Sequence, residues 1–226
     1  GIIFENRAMY ERSSILFGVT QKVLILPSIL VPDENLPCDL KGKKERVRLL
    51  FLCGWQKNKN IFLIPEIIIS CRNNGIDVEV VLTAIPDNSV CSLDFIEKVT
   101  RYNVTDSIVY LGPVKKEQLK DLYNKIDIVV LLSLLESFSN NIIESWYFQR
   151  PLIVADEEWS RAICDDAAVY VNRDNPKLFA ERVLELLDNN ELVTKLLKNG
   201  TFKLNEHPTI SDRVRQELAF VKRVVS

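Results

Sequence analysis

Between Ile126 and Leu132 the chain reads I-D-I-V-V-L-L, and directly after it S-L-L-E-S-F-S-N-N-I-I-E from Ser133 to Glu144. The first run has the length and β-branched content of a strand buried on both faces, as in a parallel sheet. The second is a polar turn that becomes helical at about Asn140. Asn140 and Asn141 can cap it, and Ile142, Ile143, Trp146 and Tyr147 supply apolar residues at helical spacing. A strand, a polar loop and a helix N-terminus in this order place the loop at the carboxyl edge of a parallel sheet. Open α/β sheets bind ligands there, and the first turn of a helix favours anions such as phosphate.

Two carboxylates frame the turn. Glu136 lies in the loop and Glu144 about one turn into the helix. A carboxylate accepts two hydrogen bonds side by side, so each can hold neighbouring hydroxyls of a sugar. On spacing alone, a pair of surface glutamates without function is the commoner case, and the strand before and the helix after are what favour a site.

The stretch L-S-L-L-E-S-F-S-N-N-I-I-E-S resembles the donor-site motif of the retaining glycosyltransferases of family 4: a strand, a Ser, a Glu, Phe two positions on, and a second Glu eight after the first. The similarity runs from about Leu49 to Leu197. It implies the C-terminal, nucleotide-sugar-binding half of the two-domain GT-B architecture, a hexosyltransferase-type enzyme of the kind used in polysaccharide biosynthesis. By this resemblance Glu136 contacts the donor sugar and Glu144 the ribose. Backbone N–H groups around Ser139, Asn140 and Asn141 hold the diphosphate with Lys59, Phe138 lines the donor pocket, and groups near Val114 meet the base. Glu136 and Lys59 are the expected catalytic pair. The donor is a nucleoside-diphosphate sugar, such as a UDP- or GDP-sugar; no metal and no further cofactor are expected.

The sequence departs from the family pattern in three places. After Gly54 the family carries an Arg, where this chain has Trp55, and Lys57 is the candidate substitute for it. The second strand is followed in the family by a Gly-rich turn, here Thr83-Ala84-Ile85-Pro86. A Gly usually precedes the basic-Pro pair, where Gln149 stands before Arg150-Pro151. These departures leave open an alternative, a catalytically degenerate α/β scaffold or regulatory domain of the same fold.

The rest of the chain alternates strand and helix. The expected strands are Arg48–Cys53, Val78–Leu82, Ile108–Leu111, Pro151–Ala155 and Ala168–Val171. The expected helices are Ile61–Cys71, Ser92–Tyr102, Lys116–Asn124, Pro176–Leu187, Glu191–Lys198 (stopped at Gly200) and Thr209–Val225, the last with a core stripe of Val214, Leu218, Val221 and Val224. This predicts an α/β, doubly wound, Rossmann-like parallel sheet with helices on both faces. Residues 48–226 form the nucleotide-sugar-binding domain and 31–47, rich in Pro and charge, a linker. Residues 1–30 read as strand, helix and strand, and by the resemblance they are expected to be the stub of an acceptor-side N-terminal domain that is otherwise missing. Opening on Gly1 without an initiator Met, the chain reads as a fragment, inactive by itself.

Composition narrows the partners. A net charge of −2 offers no basic field for nucleic acid. Five cysteines, with no C-x-x-C and only His207 to join them, argue against a zinc site and fit a reducing, cytoplasmic compartment. In that compartment the sequons at Asn103 and Asn199 are chance matches. No apolar stretch reaches membrane-spanning length, so any membrane contact is peripheral. With one histidine the chain is a poor sugar-nucleotide epimerase. Without G-x-G-x-x-G after Cys53 it is a poor dinucleotide-binding dehydrogenase.

Overall fold

The computed structural model describes residues 1–27 and 45–225. Most of the expected linker, including Cys38, and residues 28–30 of the expected stub lie outside the described residues.

Six parallel strands make the main sheet: β3 (Val47–Phe51), β4 (Val78–Leu82), β5 (Ile108–Tyr110), β6 (Ile128–Leu131), β7 (Leu152–Ala155) and β8 (Val169–Val171). Their spatial order is β5-β4-β3-β6-β7-β8. The chain builds outward from β3 in one direction, then returns and builds outward from β6 in the other. This is the doubly wound topology, and its switch point lies between β3 and β6.

Alternation along the strands explains why both faces carry helices. Leu49 and Phe51 enter one core with Val80, Leu82, Ile128 and Val130. Leu50 enters the other with Val81, Val129 and Leu131. Successive side chains on a strand point to opposite faces, and here both are apolar and buried, as a parallel sheet between two helix layers requires. The first core is closed by α2 (Ile64–Asn73), α3 (Val90–Arg101) and α7 (Pro176–Asp188) through Ile64, Ile67, Phe95, Phe179 and Val183. The second is closed by α4 (Leu119–Tyr123), α5 (Asn140–Tyr147) and α6 (Glu158–Cys164) through Tyr123, Ile142, Trp146 and Trp159.

Helix α8 (Asn190–Glu206) corrects one expectation. Gly200 does not stop it; the helix continues for more than another turn. The glycine is there because Trp146 of α5 lies against it: a Cβ would stand 2.5 Å from the indole Cδ1. Close helix–helix approach, not capping, is the role of this residue.

A separate two-stranded parallel sheet pairs β1 (Ile2–Phe4) with β2 (Val23–Ile25), joined through α1 (Arg7–Phe17). Asn6 caps α1 by accepting from the Met9 N–H at 2.8 Å, and Gly18 ends it at φ +59°. Helix α9 (Ile210–Val225) runs back to this unit: Arg213 donates to the Pro27 carbonyl at 2.7 Å, and Phe220 is buried against Gly1. Of the predicted stripe of α9, only Val224 is partly buried, against Gly1. Val214, Leu218 and Val221 are exposed, as are Ile15, Leu16 and Phe17 of α1. Amphipathic spacing identified the helix but could not say what its apolar side meets.

Candidate active site

At the switch point the carboxyl ends of β3 and β6 each release a loop, and the two loops are bonded together. The backbone N–H of Leu134 donates to the Asn58 carbonyl at 2.7 Å. Lys59 donates to, and is ion-paired with, Glu136. Asn141 of α5 donates its amide to the Leu52 carbonyl at 2.9 Å. These three links bridge the switch point, where a sheet of this topology has its ligand crevice.

Lys59 is delivered by a tight turn. Gln56 N–H bonds the Gly54 carbonyl, a 3-10 turn spans Lys57–Lys59, and Asn60 takes a left-handed conformation at φ 55° while its amide reaches the Arg173 carbonyl. The Lys59 and Glu136 side chains are only 16% and 10% exposed, so their pairing is shielded from water more than a surface ion pair is. Gly54 is exposed, and a Cβ there would meet nothing within 4 Å. A side chain at this position would stand in open space.

Helix α5 begins at the crevice. Its N-cap is Ser139, not an asparagine, and the Ser139 side chain makes no capping bond. The expectation that the Asn pair caps the helix fails because both residues lie inside it, after the N-cap, and the Asn141 amide N–H instead bonds the Leu52 carbonyl just past β3. The positive end of the helix dipole thus faces the crevice without a side-chain cap of its own N-cap residue. At the end of β6 the Ser133 hydroxyl is fully buried and has no hydrogen-bond partner among the described residues.

One turn along α5, Glu144 is 8% exposed and accepts a hydrogen bond from the Tyr123 hydroxyl at 2.9 Å. Burial raises the Glu144 carboxyl above its ordinary value, and the Tyr123 bond pulls in the other direction. Tyr123 is held by stacking on Phe148 at 4.6 Å. Sequence reading placed Tyr123 only as an inward face of its helix. No local signal marks it as the partner of a carboxylate more than one element away.

Other predicted residues stand apart from this cluster. Lys57 is exposed, near enough for its charge to act on the Cys91 thiol of α3. The Phe138 ring packs edge-on against His207 at 5.6 Å and braces the loop against the end of α8. Val114 is half-buried on the α4–α5 side, beyond a turn at Gly112 with φ +79°. Cys53 sits within reach of the Lys59 charge, yet burial pushes its thiol up to about 12; it is not a thiolate nucleophile at neutral pH.

Beside the loop carrying Glu136, a pocket of about 840 Å³ opens between α1 and α6. Arg7, Arg12, Leu134, Leu135, Glu158 and Trp159 are among its lining residues. Asn6 donates to the Ser137 carbonyl and fixes the start of α1 to the same loop. Among the described residues there is no group of three or more His, Cys, Asp or Glu placed to hold a metal ion. Among them, too, no helix is long and apolar enough to cross a membrane.

The family model described as glycosyl transferases group 1 matches residues 46–189. Solved structures share the fold at low identity. A variant of S. aureus TarM, in complex with fondaparinux, alpha-GlcNAc-glycerol and UDP, matches at 15% identity and a TM-score of 0.77, over 97% of this chain and 43% of that one. Sucrose-phosphate synthase of Thermosynechococcus elongatus matches at 14% and 0.76, over 99% and 58%. A glycosyltransferase of Rickettsia africae matches at 12% and 0.78, over 99% and 63%. The chain thus spans less than two thirds of each of these relatives. No curated protein sequence matches it.

Proposed function

The chain belongs to the group 1 glycosyl transferases, and from that premise we propose that it is the half of a retaining enzyme that binds a nucleoside-diphosphate sugar and donates the sugar. The Lys59–Glu136 pair carries this reading. It brings a cation and a hydroxyl-binding carboxylate together at the switch point, beside the N-terminus of α5.

The division of labour follows from the charges. Lys59 and the first turn of α5 face the diphosphate. When the bond from the anomeric carbon to the diphosphate breaks, the electron pair leaves on a phosphate oxygen, and a fixed cation and helix end stabilise it. Glu136 holds donor hydroxyls and sets the anomeric carbon; Glu144, oriented by Tyr123, takes the ribose hydroxyls. A bound donor must divide the Lys59–Glu136 pair between phosphate and sugar, so the unliganded pair keeps both groups in place until the donor arrives. No metal is required in this scheme.

The acceptor side is proposed to involve the α1–α6 pocket, which adjoins the Glu136 loop, together with a further domain covering the exposed apolar residues of α1 and α9. Transfer needs donor and acceptor aligned in a closed cleft. The described piece is therefore proposed to bind donor without efficient transfer. The setting is proposed to be cytoplasmic, with peripheral membrane contact where the acceptor is lipid-linked.

A second reading is favoured by Trp55. The family Arg is absent and the Trp55 indole N–H is committed to the Ile85 carbonyl, which suits a scaffold that has lost turnover. Calorimetric titration with UDP, GDP and ADP separates the two. Saturable binding of one nucleotide, weakened by Glu144→Ala, supports the donor site. A folded chain, with or without its complementary domain, that binds none of them sinks it.

A further inference from the structure

Trp55 stands where a phosphate-binding Arg is expected, and the structure shows another use for it. Its indole packs on Phe95 at 5.4 Å and Tyr110 at 6.4 Å. Its N–H donates to the Ile85 carbonyl at 2.6 Å. A second bond, from the Thr83 hydroxyl to the Cys53 carbonyl at 3.1 Å, runs between the same two loops. Two departures from the family pattern, Trp55 and Thr83, thus tie the loop after β3 to the loop after β4.

The tie fixes Ile85. Pro86 follows it and restricts its backbone. Its side chain lies over Gly112: a Cβ on that glycine would be 2.6 Å from Ile85 Cδ1 and 2.8 Å from Cγ1, and the φ of +79° there also favours glycine. Yet Ile85 is 54% exposed. A β-branched side chain held from three directions and still open to water is a preformed apolar surface. It lies beside the Gly112-Pro113-Val114 turn, at the end of the crevice away from the Lys59–Glu136 pair.

We infer that Ile85 is the apolar wall on which the nucleobase of the donor packs, and that Trp55 is a positioning residue that holds this wall. The inference rests on the donor reading above. A flat heteroaromatic ring laid on Ile85 removes apolar surface from water, while its edge meets the backbone of the Gly112–Val114 turn. The chain has exchanged a diphosphate contact at position 55 for a fixed contact at the base.

The test compares ligands with and without a base. The chain and its Ile85→Ala, Trp55→Phe and Lys59→Ala variants are titrated with UDP, GDP, ADP and inorganic pyrophosphate. Ile85→Ala should weaken the nucleotide that binds by about tenfold and leave pyrophosphate unchanged. Trp55→Phe keeps the ring and loses the N–H, and should weaken the same nucleotide about threefold, again sparing pyrophosphate. Lys59→Ala should weaken both ligands. Nucleotide affinity untouched by Ile85→Ala, or lowered equally for pyrophosphate, overturns the inference. If Lys59→Ala still weakens nucleotide in that case, the donor site stands without it. A wild-type chain that binds pyrophosphate but no nucleotide, or binds neither, takes both readings down.

Discussion

Lys59 and Glu136 are paired across 77 positions of sequence, one from the loop after β3 and one from the loop after β6. Each is the other's main shield from an unpaired state. Removing one should therefore cost about 1–2 kcal/mol of stability, more than an exposed pair would. The double variant Lys59→Ala/Glu136→Ala should cost less than the sum of the singles. Urea unfolding of the four proteins checks this; strict additivity would mean the two groups do not interact in solution.

In an enzyme that turns over, the same pair should divide by role. On the donor reading, Glu136→Ala is expected to lower kcat by about a hundredfold or more, since it would remove a contact to the reacting sugar. On the same reading Lys59→Ala should affect donor KM as well, because Lys59 would also hold the ground-state diphosphate. Steady-state kinetics with both variants would show the split. Unchanged turnover in Glu136→Ala would favour the scaffold reading.

Glu144 predicts a pH dependence of binding and of stability. Its folded-state carboxyl is raised by burial, so the folded chain holds that proton more tightly than the unfolded one. The stability this contributes is present at low pH and is lost as pH rises through the raised value. Glu144→Gln should remove that slope. Nucleotide affinity should rise over the same interval as the carboxylate forms to accept ribose hydroxyls. Tyr123→Phe deletes the bond that favours the charged form and should move the midpoint further up. Titrations from pH 4 to 8 follow it; a midpoint that Tyr123→Phe leaves in place would contradict the Tyr123–Glu144 linkage.

The order of elements in the main sheet was legible because parallel strands buried on both faces write continuous β-branched runs, and the amphipathic helices between them keep their period. The expected strand at Arg48 begins one residue earlier, at Val47, and the start of α2 is preceded by a 3-10 turn over Ile61–Leu63. The candidate residues that the structure gathers at the switch point are those carried by short local motifs, Lys59 on one loop and four others on a second. Glu136, Ser139, Asn141 and Glu144 sit on one loop and helix. Tyr123, Trp55 and Ile85 act across elements, and their partners are set by the sheet order. Asn141 shows the limit most clearly: it reads as a local cap, but the helix starts one residue before it and its amide N–H reaches the Leu52 carbonyl just past β3. Gly200 shows another: a glycine near an expected helix end reads as a stop unless the indole on the facing helix is known.

Gly200→Ala is expected to destabilise the chain by about 1–3 kcal/mol, because the added Cβ collides with the Trp146 ring rather than with a flexible chain end. As Trp146 and Glu144 share α5, the same substitution should weaken nucleotide binding. Chemical denaturation combined with titration tests both. A stabilised variant would mean that the helices separate without penalty and that only the higher helix propensity of Ala is felt.

Burial pushes the Cys71 thiol up to about 12 and raises Cys164 strongly as well. Both should resist alkylation at pH 8 in the folded chain and react once it is unfolded. Peptide mass mapping after a timed iodoacetamide pulse reads each cysteine separately. Rapid native labelling of Cys71 or Cys164 would show that the core opens far more readily than its packing implies.

The bond from the Leu134 N–H to the Asn58 carbonyl has a use outside chemistry. A single amide proton sits on the seam between the two loops, so its exchange with deuterium can proceed only when the seam parts. That one proton is a clock for how often the crevice breathes. A ligand spanning both loops should slow it, whereas a ligand bound elsewhere on the surface should leave its rate as it was.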